Sequence, residues 1–133
     1  MPGLSFSLPI YTDDVDGFKL NKTYLDLAQQ NLKCLILTNP GEKIMHPTFG
    51  VGIKRYLFEP MTSDTHQKIS SKIHEQAEEW LPYIEILNLE IIEPHSPSGR
   101  ARGMTSANEI AVKITFEVTV LGQIDQLKLY FKP

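Results

Sequence analysis

Apolar positions along the chain repeat with two periods, and the switch from one to the other divides it. Tyr24, Leu27, Ala28, Leu32 and Leu35 recur at helical spacing. Asn21 or Thr23 can cap this segment, and Thr23 with Asp26 three residues on resembles a capping box. Asn39-Pro40-Gly41 cannot continue a helix, so the spacing predicts an end near Leu37. A second stripe runs through Ile69, Ile73, Ala77 and Trp80, with Thr62 or Ser63 as cap and Pro82 as stop. Its other faces carry Lys68, Lys72, Glu75, Glu78 and Glu79, and Lys72 and Glu75 have the i,i+3 spacing of an ion pair.

Beyond Pro82 the period falls to two. Ile84 and Ile86 share one phase and Leu87, Leu89 and Ile91 the other, which predicts a bulge near Ile86-Leu87. Ile110, Val112, Ile114, Phe116, Val118 and Val120 alternate without a break. Gly122-Gln123 reads as a turn, and Leu127, Leu129 and Phe131 then share one face of a last strand. Helices followed by a run of strands predict an α+β fold: two main helices packed on a three-stranded antiparallel sheet.

Three stretches have no period. Residues 1–20 contain Phe6, Leu8, Ile10 and Tyr11 beside Asp13, Asp14 and Asp16, and read as an extended arm before a globular core of residues 21–133. Pro94–Ala107 is a polar loop with Arg100 and Arg102. The third, from Pro40 to Gly52, lies between the first helix and Leu57-Phe58, both expected to be buried. Pro40, Gly41, Pro47 and Gly50 would then be held in one shape, as a stiff bend. Gly50 and Gly52 bracket Val51, a spacing that permits positive φ or close backbone approach. Ile53 to Leu57 fits one helical turn.

Composition narrows the chemistry. A chain of 133 residues points to a single domain. A net charge of −3 offers no basic field for wrapping nucleic acid. No apolar run approaches the roughly 18 residues needed to span a membrane. The N-terminus lacks the basic and apolar regions of a secretion signal. The lone Cys34 cannot form an internal disulfide, and its apolar context predicts a small buried hydrophobe in a reducing compartment. His46, His66, His74 and His95 lack a third ligand at metal spacing, and no cofactor motif is present. Glu42 and Glu59 both lie near the bend, but sequence alone does not bring them face to face as a hydrolytic pair. The remaining candidate is a binding surface. The last strand carries no proline before Pro133, so if it lies at an edge, its outer side at Leu127 and Leu129 can receive another chain's strand; the alternative is an edge covered by this chain's own N-terminal arm.

At Asn31–Pro60 the sequence resembles the baseplate wedge family of contractile phage tails, including the small subunit called the sheath initiator. Relatives serve in type VI secretion baseplates and extracellular injection particles. The matching residues are Asn31-Leu32, Leu35, Leu37-Thr38, Pro40-Gly41-Glu42, Pro47, Phe49-Gly50, Gly52 and Leu57-Phe58-Glu59-Pro60. The later helix-and-meander layout extends the likeness from about Thr23 to Phe131. Two departures stand out. Lys43 occupies a position where the family usually has Arg, which keeps the charge and loses the planar fork. Leu81-Pro82-Tyr83 stands where relatives have Glu-Pro-Arg, a motif that docks on a helical bundle of larger wedge subunits. Tyr83 would be the aromatic anchor there.

The resemblance implies a structural, non-enzymatic protein of the virion tail baseplate, assembled in the host cytoplasm. Six copies would surround the tube, contact the larger wedge subunits and offer a strand to the sheath protein. It implies no nucleic-acid or membrane partner. A regulatory binding protein of the anti-adaptor type is the alternative from the same fold family. A peptidoglycan-cleaving lysozyme, a label some members carry, is the other.

Overall fold

Every long element begins or ends on a local signal. In the computed structural model, which describes residues 3–60, 62–92 and 110–131, three helices and seven strands follow in the order β1–β4, α1–α3, β5–β7. Helix α1 (Tyr24–Leu37) starts where the Thr23 hydroxyl accepts the Asp26 N–H at 3.2 Å. Such a cap contributes about 1 kcal/mol. The helix ends where the Thr38 N–H and hydroxyl both donate to the Cys34 carbonyl. A short helix α2 (Ile53–Tyr56) follows the bend. Helix α3 (Ser63–Trp80) is capped by Thr62 and stops at Leu81-Pro82.

The sheet is a three-stranded antiparallel meander of β5 (Ile84–Ile92), β6 (Ile110–Val118) and β7 (Gln123–Phe131), with β6 in the centre. The β5–β6 register slips between Ile86 and Asn88, so Leu87 is the bulged residue. The β6–β7 register runs unbroken from Ile110↔Phe131 to Val118↔Gln123. Both helices lie on one face, α3 against β5 and α1 against β7. Their stripes, Leu32, Leu35 and Ile36 with Ile69 and Ile73, enclose Ile110, Val112, Ile114 and Phe116, all essentially inaccessible to solvent. Each such side chain contributes about 1.5–3 kcal/mol by leaving water. The opposite sheet face carries Glu85, Glu117, Lys113 and Lys128.

The α+β architecture and the helix-on-sheet arrangement agree with the sequence reading. Residues 3–21 do more than extend. They double back, pairing β1 (Ser5–Phe6) with β4 (Leu20–Asn21) and β2 (Thr12–Asp13) with β3 (Gly17–Phe18). One side chain on α1 ties them down. Gln30 Oε1 accepts from the Leu8 N–H at 3.0 Å and from Asn21 Nδ2 at 2.8 Å, and Gln30 Nε2 donates to the Phe6 carbonyl at 3.0 Å.

Three packing expectations change. Leu57 is buried, but Phe58 is 82% exposed. Adjacent residues at the end of a helical turn point about 100° apart, so only one can face the core. Tyr24 is exposed at the first turn of α1, ahead of the covered part of its stripe. Cys34 is half-buried, since it borders two surface recesses on either side of α1. The Pro94–Ala107 loop with His95, Arg100 and Arg102 lies outside the described residues.

Candidate partner-docking site

The bend between α1 and α2 is knit from both ends. Asn39 and Glu42 close its first turn: the Asn39 N–H and Nδ2 donate to the Glu42 carboxylate at 3.1 and 2.9 Å, and the Glu42 N–H donates to the Asn39 carbonyl at 3.1 Å. Gly41 lies inside this turn at φ +92°, a conformation that suits glycine. Further on, the Phe49 N–H donates to the His46 carbonyl, the Val51 N–H to the Leu35 carbonyl, and the Gly52 N–H to the Thr38 carbonyl. The last two bonds return the chain to the end of α1.

The decisive contact comes from α3. The Gly50 N–H donates to Gln76 Oε1 at 2.9 Å, and Gln76 is only 1% exposed. A buried N–H without an acceptor would cost about 1–3 kcal/mol. Gly50 has φ +111°, and a Cβ there would lie 2.2 Å from the Thr38 carbonyl oxygen. The bend therefore approaches α1 as closely as a backbone without a side chain allows.

Its outer surface is aromatic and cationic. Phe49 meets the Trp80 ring edge-on at 5.3 Å, His46 meets the same ring at 5.1 Å, and Lys43 Nζ sits 4.2 Å from the centre of the Phe49 ring. A recess of about 500 Å³ lies beside them, lined by Asn31, Cys34, Thr38, Glu42, Lys43, Phe49, Trp80 and Leu81. Pro40, Gly41, Glu42, Lys43, Pro47, Phe49 and Gly50 are thus one continuous feature. Trp80 and Gln76 belong to it as well; helical spacing places Trp80 in a buried stripe, but its ring is half-buried because it supports the bend at the surface. Gln76 carried a signal: it interrupts the apolar spacing Ile73, Ala77, Trp80 with a polar side chain on the inward face.

The remaining candidates lie elsewhere. Glu59 is exposed beyond α2, with its N–H closing a turn on the Tyr56 carbonyl. Tyr83 is half-buried, and its hydroxyl accepts from Asn31 Nδ2 at 2.8 Å, so it braces α1 against the start of β5. Pro82 is exposed and borders a separate recess with His74, Glu78 and Ile84. Leu127 and Leu129 point into the core, 5% and 7% exposed, so only their strand's backbone edge is available to a neighbour. Among the described residues, no group of three or more His, Cys, Asp and Glu side chains could hold a metal ion.

Glu42 gives the bend a pH dependence. Hydrogen bonds from the Asn39 backbone and side chain, helped by nearby Lys54, hold its carboxyl below the ordinary value of 4.5. The contribution is therefore present above that value and lost as the pH falls through the lowered folded-state value. Glu42→Gln should flatten the acid limb of stability by lowering stability slightly at neutral pH, with the two proteins converging in acid, where the wild-type carboxyl is protonated. Urea unfolding from neutral pH into acid checks this.

These features coincide with a known family. The baseplate wedge protein gp25 family model matches residues 24–121, from the first residue of α1 to the β6–β7 turn. The chain belongs to this family. It is therefore a structural component of a contractile tail baseplate, in a virion or phage-like particle. No curated protein sequence matches it. Among solved structures, the baseplate of the anti-feeding prophage contains a similar chain: 22% identity, TM-score 0.69, covering 86% of this chain and 83% of that one. A Geobacter sulfurreducens protein provisionally named a tail lysozyme is similar at 23% identity and TM-score 0.66, covering 84% and 93%. A chain in the postcontracted baseplate of pyocin R2 aligns at 15% identity and TM-score 0.53, covering 93% and 98%. At these identities the likeness establishes the fold alone.

Proposed function

We infer that this wedge-family chain joins a baseplate through two separate surfaces and catalyses no reaction. The bend at Lys43–Gly50, with Trp80 behind it, docks on larger wedge subunits, with Pro82 as a secondary contact. Strand β7 receives a strand from the sheath protein and so templates the first sheath ring, six copies forming one layer around the tube in a particle assembled in the host cytoplasm. The observation that carries this reading is the contrast between the two sheet edges. β5 is bulged at Leu87, which breaks its ladder and discourages pairing. β7 is nine residues long and pairs without a break, so its outer side continues the ladder geometry.

The lysozyme reading gains little from the site. Glu42 is held ionised by Asn39, whereas a catalytic acid needs a raised pKa.

The test places a proline on the outer backbone of β7 without touching the core. Leu127 and Leu129 are unsuitable, because both are buried. Lys128 is exposed and lies between them. Lys128→Pro should abolish binding of the particle's sheath subunit and shift Tm by only a few degrees, since edge strands tolerate proline. Unchanged sheath assembly around baseplates carrying Lys128→Pro would refute strand addition.

A further inference from the structure

At one position the outer edge of β7 is already occupied. The Gln126 N–H donates to Asp125 Oδ1 at 2.8 Å, and the Gln126 carbonyl accepts from Gln29 Nε2 on α1 at 3.3 Å. In an antiparallel ladder the N–H and C=O of one residue point to the same side. Both of these groups are bonded to side chains, so Gln126 turns them away from β6 and toward the open edge. A strand added there would supply one carbonyl and one N–H at this residue, the two partners that Asp125 and Gln29 now provide.

We propose that Asp125 and Gln29 are edge plugs. In the free chain they satisfy the Gln126 donor and acceptor and oppose pairing between copies. They are displaced when the incoming strand adds to β7. This deepens the strand-addition reading and rests on it. Both side chains are half-buried at the rim, and the 3.3 Å amide contact lies at the long end for such bonds. Each plug can therefore leave without opening the core.

The groove beside this edge states what the strand should carry. Its lining includes Leu20, Leu37 and Leu127 with Lys19 and Lys33, and Asp26 is its lone acid. An extended segment that alternates apolar and acidic residues on its inward side, with no proline opposite Gln126, complements that lining.

The experiment titrates the particle's own sheath subunit against full-length protein. Gln29→Ala with Asp125→Ala should bind about ten-fold tighter, because two competing hydrogen bonds are gone. Amide exchange at Gln126 in the free double variant should quicken. Asp125→Asn, which keeps the acceptor, should stay within about two-fold of wild type. Gln29→Glu removes the donor and keeps the side-chain volume, and should behave like the alanine change. Binding that Lys128→Pro abolishes but that the double variant and Gln29→Glu leave unchanged overturns the plugs alone. Absence of any wild-type binding overturns strand addition and the plugs together.

Discussion

Gly50→Ala is expected to destabilise the protein by at least about 3 kcal/mol. Two effects add at this residue. The backbone holds φ +111°, which an L side chain rarely adopts, and the new Cβ would meet the Thr38 carbonyl oxygen at 2.2 Å. Relief needs the bend to move away from α1. That movement breaks the Gly50–Gln76 hydrogen bond and weakens the Gly52–Thr38 bond, leaving the buried Gln76 amide without its partner. At this chain length the change should lower Tm by roughly 10 °C or more. Gly41→Ala is the contrasting control: it shares a positive φ, but a Cβ there meets nothing within 4 Å, so the loss should be about 1 kcal/mol. Equal melting shifts for the two variants would show that close approach to Thr38 is not what makes Gly50 special.

Trp80→Ala should separate the bend's shape from the rest of the fold. The ring supports both His46 and Phe49, and Lys43 in turn sits over Phe49. Its removal should cost about 3 kcal/mol and free the exposed side of the bend, while the sheet core around Phe116 stays intact. Trp80→Phe keeps a ring in place and removes an indole N–H that is buried without a hydrogen bond among the described residues, so it should cost far less. Thermal melts give the energies. Amide exchange at Phe49 and Val51 should quicken in the alanine variant and stay slow in the phenylalanine one. A bend that remains protected after Trp80→Ala would mean that Gln76 and α1 alone hold it.

The helices and strands were legible because their signals are local. Thr23 with Asp26 and Thr62 before Ser63 mark helix starts within one turn, and the phase change at Leu87 marks the bulge. The bend was legible as a stiff segment, since Gly50 and Gly52 adopt the positive φ their spacing suggested. What holds it was not legible. Gln76 stands out as a polar residue on an inward face, but it lies 26 residues from Gly50, and nothing local names the group it meets. Apolar periodicity also passes over polar ties. Gln30 and Asn21 fold the N-terminal segment back through hydrogen bonds, so a reading based on hydrophobic spacing left that segment extended. Phe58 shows the opposite error. Its apolar character and its neighbour suggested burial, but the helical turn before it aims only Leu57 inward.

The grip on Gly50 has a mechanical consequence. Because the bend is fastened to the C-terminal end of α1 and to the C-terminal part of α3, a force applied at Phe49 cannot be absorbed by uncoiling a slack connector. It must shear α1 against α3, and through them load the sheet beneath. Under load, such a part would act as a lever arm and not as a tether.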